Sequence, residues 1–355
     1  MKAMLLERIA PIDTSPLKMV DLPMPEPKQG EIRIKVRSCA ICRTDLHVIE
    51  GDLPRQKMPI VPGHQIVGTV EKLGPVEKGT DSICAKHPAG RSGKLDQSPF
   101  PFKVGQRVGV AWLRHTCGQC EFCAAKKENL CESARFTGYH ADGGYAEYAV
   151  AAEAFCYGIP PAFSDIEAAP LLCAGIIGYR SLKRCQLRPG GKLGIYGFGS
   201  SAHIVMQIAK HRGCTIYVVT RGEKHRQLAR QMGAAWVGED ARQMPEKVDS
   251  AIIFAPAGDL VPLALESLQK GGTLSLAGIY MTPIPTLDYQ RHVFYERDIH
   301  SVTCNTRADG RELLAEAAAI PIHPHTIVYP LADANRALID LKNDKINGTG
   351  VLSIE

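Results

Sequence analysis

Two side chains early in the sequence have the types needed to bind a metal while leaving it open for chemistry. Cys42 lies in the run Cys-Ala-Ile-Cys-Arg-Thr-Asp-Leu-His, and His64 follows in Pro-Gly-His-Gln-Ile-Val-Gly. A thiolate and an imidazole are both ligands that zinc accepts, and two of them do not complete its tetrahedral set. The pair therefore indicates a metal with a position free for a substrate.

A second group of cysteines has the spacing of a closed metal site. Its members follow the pattern Cys-x2-Cys-x2-Cys-x7-Cys, namely Cys117, Cys120, Cys123 and Cys131. Four thiolates this close can surround one zinc at about 2.3 Å each, which leaves no position for a substrate. We predict a structural zinc in a lobe spanning residues 112–135, with two disulfides or four free thiols as the alternatives.

A glycine-rich turn in the second half of the chain predicts a dinucleotide site. The run Gly197-Phe198-Gly199-Ser200-Ser201-Ala202 follows an apolar strand and precedes a helix that we expect to reach about residue 212. In this fingerprint Gly197 permits the tight turn, Gly199 lets the backbone approach a pyrophosphate, and Ala202 allows close packing of helix on strand. The helix start at Ser200 and Ser201 then holds the phosphate.

The end of the next strand favours NADP over NAD. An NAD-binding protein usually places an acid here for the adenine ribose. This chain instead has Thr220-Arg221-Gly222, with Lys224, His225 and Arg226 just beyond. A hydroxyl and basic groups attract a ribose phosphate that an acid would repel. The alternative is that these residues are the solvated start of a helix.

Length and composition fit a two-domain enzyme better than a nucleic-acid or membrane protein. The 355 residues exceed what one core normally organises, and the net charge of +5 comes from basic residues scattered among acids. The N-terminus lacks a secretory apolar region, and no apolar run approaches the roughly 20 residues that span a bilayer. We expect a cytoplasmic protein without a membrane or nucleic-acid partner. The clustering among its twelve cysteines indicates metal binding, and the unclustered ones are expected to be small buried residues.

The pattern of elements predicts an α/β protein with two different halves. Alternating apolar residues predict strands near 2–9, 31–38, 66–73, 107–111 and 145–150, which suggests an irregular, partly closed barrel. After residue 155 strands and helices alternate, which predicts a doubly wound parallel sheet. We expect one domain from residues 1–155 and 307–355 and a second from 156–306, with a surface loop insertion at 75–104. Within that loop Cys84 and His87 are too few to make a metal site.

Together these motifs resemble the zinc-dependent alcohol dehydrogenases of the medium-chain dehydrogenase/reductase superfamily, over essentially the whole chain. The Cys42 and Gly63-His64 elements, the four-cysteine lobe and the Gly197 fingerprint occur in that family's order. The resemblance implies a GroES-like catalytic domain and a Rossmann domain, two zinc ions per chain, and hydride transfer between an alcohol or aldehyde and the nicotinamide. It also implies a homodimer or homotetramer, and the segment near 300–304 is expected to be an exposed edge strand.

The resemblance assigns roles to further residues. Cys173, in Pro-Leu-Leu-Cys-Ala-Gly, matches the third ligand of the catalytic zinc beside Cys42 and His64. Thr44, on a short turn, and His47 match a proton relay, whereas Arg43 matches a pyrophosphate contact. Asp45 matches an acid that orients His64. Gln65 stands where most members have Glu, and the closing strand at 348–353 lacks an Arg that some members direct at the pyrophosphate.

Two residues indicate the shape of the substrate pocket. Trp112 matches a residue that narrows the pocket in yeast-like members, and Leu53 replaces a second bulky aromatic found there. We expect medium primary alcohols or aldehydes, unless Trp112 is a core residue. The rival readings are a polyol or sugar dehydrogenase of the same superfamily, and a non-catalytic NADPH-binding relic, which would have no reason to keep all the zinc ligands.

Overall fold

The computed structural model describes residues 1–53, 56–75, 102–320 and 322–354. Most of the predicted loop insertion, with Cys84 and His87, lies outside these residues. In the described ranges no helix combines the length and the apolar character needed to cross a bilayer.

The first half of the chain is rich in strands. Its strands are β1 (Lys2–Leu6), β2 (Leu17–Asp21), β3 (Glu31–Ala40), β4 (Gln65–Leu73), β5 (Arg107–Val110), β6 (Leu113–His115), β7 (Arg135–Phe136), β8 (Tyr148–Ala152) and β9 (Cys156–Gly158). Only two α-helices lie among them in the described residues, α1 (Arg43–Glu50) and α2 (Glu121–Ala124). Alternate residues of β3 such as Ile32, Ile34 and Val36 are buried, which gives this region its core.

The second half alternates strands and helices. Its strands are β10 (Lys192–Tyr196), β11 (Thr215–Val219), β12 (Trp236–Gly238), β13 (Val248–Ile253), β14 (Leu268–Leu276), β15 (Asp298–Ser301), β16 (Thr326–Pro330) and β17 (Thr349–Ser353). Its α-helices are α3 (Asp165–Pro170), α4 (Ile176–Arg184), α5 (Ser200–His211), α6 (Glu223–Gln231), α7 (Leu260–Ser267), α8 (Arg307–Ala319) and α9 (Ala334–Lys342).

Two large sheets organise the molecule. Six parallel strands form one in the order β12-β11-β10-β13-β14-β15, which is the predicted doubly wound arrangement. The other is a mixed sheet in the order β16-β17-β3-β4-β5-β9, with β8 paired to β3. The last two strands of the chain therefore join the sheet of its first half, where Leu352 lies opposite Cys39. The α/β fold class is confirmed.

Two local expectations are wrong, and both concern residues of the site. The segment after Cys42 is not a short turn: it is helix α1, which begins at Arg43. The single helix expected over 165–182 is also divided, since α3 ends at Pro170 and a π-helical turn, Leu171–Gly175, precedes α4. Proline has no backbone N–H to donate, and it therefore interrupts the regular helical pattern just before Cys173.

Candidate functional site

A cleft of about 1130 Å³ brings together residues from both halves of the chain. Its wall includes Cys42 and Cys173 as well as the glycine-rich turn at Gly197 and Gly199. A carboxyl-end crevice of a parallel sheet is where such folds bind dinucleotides. The cleft therefore places candidate metal ligands and a candidate cofactor turn on one continuous surface.

Three candidate metal ligands converge although they are far apart in the sequence. The donor atoms of Cys42, His64 and Cys173 all lie within 4.8 Å of one another, and Cys42 Sγ is 3.4 Å from His64 Nε2. Ligands about 2.3 Å and 2.0 Å from a tetrahedral zinc would be about 3.5 Å apart. This geometry and the donor set fit zinc, and two of the three residues that would hold it, Cys42 and Cys173, line the cleft.

Local structure fixes each of these ligands. Cys42 is the N-cap of α1, His64 is buried directly before β4, and Cys173 lies in the π-helical turn that follows Pro170. The backbone N–H of Cys42 donates to Asp45 Oδ2 at 2.8 Å, while Asp45 Oδ1 is 3.1 Å from His64 Nδ1. One buried carboxylate thus orients two ligands, as expected of a residue behind a metal site.

The charges of the three ligands depend on one another in the metal-free protein. The Cys173 thiol, and the charge of His64, hold the pKa of Cys42 well below its ordinary value despite burial. The same contact with Cys42, together with burial, raises the pKa of Cys173 well above the ordinary value of a cysteine thiol. Burial alone would lower the pKa of His64, but Asp45 and Cys42 outweigh it and raise the pKa to about 10. A bound zinc must therefore displace protons from this cluster.

The four cysteines of the lobe also converge. The sulfur atoms of Cys117, Cys120, Cys123 and Cys131 all lie within 4.8 Å of one another. Cys117 Sγ is 3.6 Å from Cys131 Sγ and 4.0 Å from Cys123 Sγ. Thiolates about 2.3 Å from one tetrahedral zinc would be about 3.8 Å apart, so the cluster fits a closed zinc site. Backbone N–H groups of Gln119 and Cys120 lower the pKa of Cys117 to about 6, which favours the thiolate that a metal requires.

The glycine-rich turn has the geometry that a pyrophosphate needs. Gly197 has a φ of +86°, and a Cβ there would lie 3.0 Å from the backbone nitrogen of Ala255. No atom lies within 4 Å of a Cβ position at Gly199, so a ligand can approach its backbone closely. Ala202, in the first turn of α5, is fully buried, and the helix begins at Ser200 beside the cleft. Ser200 and Thr349 join through their hydroxyl groups.

This chain is similar to known proteins in both sequence and structure. Residues 28–161 match the family model of the alcohol dehydrogenase GroES-like domain, and residues 202–319 match that of the zinc-binding dehydrogenase. A probable alcohol dehydrogenase, AdhA, of Mycobacterium tuberculosis is 49% identical over 354 residues, covering 100% of this chain and 97% of the relative. The chain belongs to the zinc-dependent alcohol dehydrogenase family. Membership makes it an oxidoreductase, as the sequence predicts.

Other relatives agree with this family. An alcohol dehydrogenase of Geobacillus stearothermophilus is 33% identical, with 100% of both chains covered. Among solved structures, a cinnamyl alcohol dehydrogenase of Sorghum bicolor superposes with a TM-score of 0.84 at 25% identity, covering 99% of this chain and 97% of that one. A thermostable alcohol dehydrogenase of Pyrobaculum aerophilum, with cobalt and zinc bound, superposes with a TM-score of 0.83 at 26% identity, and the match covers 99% of both chains.

The structure brings most of the candidate residues of this alcohol dehydrogenase family member to the cleft, but not all. The cleft wall includes Arg43, Thr44, Leu53, Trp112, Gly197, Gly199, Ser200, Ser201, Thr220 and Arg221. Lys224 is exposed on α6 and does not line the cleft, because the helix directs it away. His47 is not part of the wall either: its Nδ1 is 2.7 Å from Asp52 Oδ2, and its ring packs on Tyr280, which does line the cleft.

Aromatic residues form the part of the cleft beside the zinc ligands. Trp112 is only half-buried, so it is a wall residue more than a core residue. Its ring stacks on Phe136 with centroids 5.0 Å apart and meets the ring of His64 edge-on at 4.9 Å. Phe136 and Tyr139 also line the cleft and are not predicted from the sequence. Both residues follow the four-cysteine lobe in the chain, and nothing near them in the sequence signals this role.

His225 and Thr349 also line the cleft. The sequence shows His225 only as one of the basic residues after Arg221, and it indicates no role for Thr349. His225 Nε2 lies 3.2 Å from Asp344 Oδ1, and its buried Nδ1 has no hydrogen-bond partner among the residues described. His225 lies in the first turn of α6, just after Arg221 in the chain, and both residues line the cleft. Gln65, in contrast, is fully buried outside the cleft wall, and its amide atoms have no partner in the described ranges.

Proposed function

We propose that this protein is an NADP(H)-dependent alcohol dehydrogenase that interconverts medium primary alcohols and aldehydes, with two zinc ions per chain. The observation that carries the proposal is the convergence of Cys42, His64 and Cys173 on the cleft that also contains the glycine-rich turn. A bound zinc at these three residues supplies Lewis-acid polarisation of the carbonyl group. The second zinc is held by the four-cysteine lobe and serves the structure.

Thr44 and His47 handle the proton in this proposal. Thr44 lies in the first turn of α1 and presents its hydroxyl beside Cys42 on the cleft wall. It gives a proton to the carbonyl oxygen during reduction and takes one from the alcohol in the reverse direction. His47, three residues further, lies on the same face of the helix and exchanges protons with solvent, oriented by Asp52.

The basic character of one cleft wall supports NADP(H) over NAD(H). Thr220 and Arg221 follow β11 and line the cleft, and Arg221 forms no ion pair in the described part of the chain. Glu239 and Asp344 also line the cleft; Glu239 forms an ion pair with Arg226, and Asp344 contacts His225. A ribose phosphate would therefore meet an unpaired guanidinium, the group best suited to bind it. Arg43 and the start of α5 are proposed to hold the pyrophosphate.

The pocket wall supports a largely apolar substrate. Leu53, Trp112 and Phe136 line the cleft on the side of the zinc ligands. A polyol or sugar would leave several hydroxyl groups without partners against these side chains, which costs affinity. We therefore propose aliphatic or aromatic aldehydes and alcohols of medium size as substrates, in preference to polyols.

We also propose a division into domains and an assembly. The pairing of β17 with β3 supports a catalytic domain of residues 1–155 and 307–355 and a cofactor domain of residues 156–306. Strand β15 is at the edge of the parallel sheet, and exposed apolar side chains lie near it: Tyr289, Phe294, Tyr295 and Ile299. An unpaired edge with such a surface supports association into a homodimer or homotetramer.

The test is the initial rate of benzaldehyde reduction with NADPH and with NADH, before and after removal of loosely bound zinc by a chelator. We expect turnover that favours NADPH and disappears on chelation, with one zinc per chain retained in the four-cysteine lobe. Turnover that survives loss of the more labile zinc would contradict the role of Cys42, His64 and Cys173. Equal rates with both cofactors would contradict the proposed preference.

A further inference from the structure

Two buried residues of the four-cysteine lobe reach out of it toward the cleft. Glu128 and Asn129 lie in a short 3-10 turn, Glu128–Leu130, directly before the candidate ligand Cys131. Only 9% of Glu128 and 7% of Asn129 is exposed, although both side chains are polar. Buried polar groups require partners, and the partners of both residues lie far along the chain.

Glu128 binds the first residue of helix α8. Its Oε1 accepts the backbone N–H of Arg307 at 2.7 Å, and its Oε2 accepts from the Arg307 guanidinium at 2.6 Å. The exposed fractions of the two side chains are 12% and 15%, so water screens this ion pair little. The carboxylate also satisfies an N–H that the start of a helix would otherwise leave unpaired, and it lies where the helix dipole favours negative charge.

Asn129 binds the segment that leads into that helix. Its Nδ2 donates to the backbone oxygen of Thr303 at 2.9 Å. Residues 302–305 connect β15 to α8 and line the cleft. Within this segment Cys304 has a φ of +51°, a left-handed conformation that a residue with a side chain adopts only at a cost. The segment is therefore held in a strained shape, with the lobe bonded to it at Thr303 and just beyond it at Arg307.

We infer that the four-cysteine lobe sets the shape of this cleft wall, so that metal in the lobe and cofactor in the cleft are energetically coupled. Glu128 and Asn129 are the positioning residues through which the coupling passes. The inference rests on the proposed function, because it assumes that the ligand of the cleft is the nicotinamide cofactor. Coupling between two binding sites is reciprocal. If metal in the lobe increases the affinity for the cofactor by some factor, then bound cofactor must increase the affinity of the lobe for its metal by the same factor.

The experiment follows metal loss at individual cysteines of the full-length zinc enzyme. A chelator and an alkylating reagent are added with or without saturating NADPH, and mass spectrometry measures the labelling rate of Cys117, Cys120, Cys123 and Cys131. Buried Cys185 reports global unfolding in the same sample. We expect NADPH to slow labelling in the lobe by about 5-fold to 50-fold relative to Cys185, within the usual range of coupling between sites.

Variants separate the coupling from general stabilisation. Glu128→Gln should remove most of the selective protection and weaken NADPH binding by a similar factor, with kcat reduced much less than KM is raised. Asn129→Ala removes the contact with Thr303 and one side chain of the cleft wall. It should reduce the selective protection in the same direction as Glu128→Gln but less, and it serves if Glu128→Gln folds poorly. The control is Glu121→Gln, because Glu121 is exposed in the same lobe and loses the same charge.

The possible failures can be told apart. If NADPH binds tightly but protects the lobe no more than Cys185, the coupling is refuted while the proposed function stands. If the protein binds NADH in place of NADPH, the cofactor preference fails, and the same labelling comparison with NADH decides the coupling. Binding of neither cofactor by the zinc-loaded protein would contradict the proposed function and the coupling together.

Discussion

Asp45 contacts Nδ1 of the His64 ring, and the other ring nitrogen, Nε2, faces the candidate zinc ligand Cys42. Its Oδ1 is 3.1 Å from His64 Nδ1, while His64 Nε2 is the atom that lies 3.4 Å from Cys42 Sγ. A carboxylate in this position keeps the proton on Nδ1 and leaves the Nε2 lone pair for a metal. Because Asp45 lies on α1, the helix that begins after Cys42 also sets the orientation of His64.

Replacing Asp45 by Asn should therefore weaken zinc binding at this cluster without unfolding the protein. The amide keeps the volume of the side chain but removes the charge that orients His64. We expect zinc affinity to fall about 10-fold to 100-fold, the usual effect of losing such a partner. Competition with a chromophoric chelator measures it, with the exposed Asp21→Asn as the control variant. Equal affinity in the two variants would contradict the role of Asp45.

Zinc affinity at the same cluster should increase with pH. His64, with a pKa raised to about 10, and Cys173, with its pKa well above the ordinary value, both carry protons at neutral pH. Cys42, with its pKa held well below its ordinary value by Cys173 and His64, gives up its proton most readily of the three. Zinc must then displace about two protons, so its affinity should rise up to roughly 100-fold per pH unit and fall as the pH is lowered. A pH-indicator dye measures the protons released on adding zinc; release of none would contradict this charge distribution.

Changing Thr220 to Asp together with Arg221 to Leu should shift cofactor preference toward NAD. The new acid would repel a ribose phosphate and accept hydrogen bonds from a free ribose, whereas the lost guanidinium no longer attracts the phosphate. We expect the ratio of kcat/KM for NADPH and NADH to move at least about 10-fold, equivalent to about 1.4 kcal/mol. Lys224→Leu is the matched control, since Lys224 is basic but lies outside the cleft wall. An unchanged ratio in the double variant would refute our interpretation of this turn.

Enlarging Leu53 to Phe should narrow the substrate pocket. Leu53 lines the cleft together with Trp112, so an added ring takes space that a large substrate needs. We expect kcat/KM for benzaldehyde to fall about 10-fold to 200-fold, with little change for a short aliphatic aldehyde. Parallel losses for both substrates would mean that Leu53 does not determine substrate size.

The sequence predicts the parts of the fold that depend on interactions between residues close together in the chain. Helix α8 begins at Arg307 because of a local capping pattern: the Thr306 hydroxyl donates to the Asp309 carboxylate and accepts the backbone N–H of Asp309. The parallel sheet follows from the regular alternation of apolar strands and helices. The turn expected at Arg43 is a helix because the Asp45 carboxylate, three residues after Cys42, caps its start. That capping pattern is present in the sequence, although cysteine is not a usual N-cap.

Long-range contacts explain what the sequence does not show. Cys173 is selected by resemblance and not by spacing, because nothing near it in the chain is a second ligand. Its orientation depends on the π-helical turn after Pro170, which a helical pattern alone does not reveal. The contact of Asn129 with Thr303 joins residues 174 positions apart, and no local motif encodes it. Phe136 reaches the substrate region only because the lobe folds against the cleft.

The most direct test of the account is the variant Cys173→Ser, assayed for zinc content, fold and aldehyde reduction. We predict one zinc per chain in place of two, an unchanged circular dichroism spectrum, and loss of NADPH-dependent benzaldehyde reduction by at least about 1000-fold, since about 4 kcal/mol of transition-state stabilisation would be lost. Cys214→Ser, remote from both clusters, is the control that should keep two zinc ions and full activity. Retained turnover in Cys173→Ser, or loss of the zinc in the four-cysteine lobe instead, would contradict the assignment of Cys42, His64 and Cys173 as the catalytic metal site.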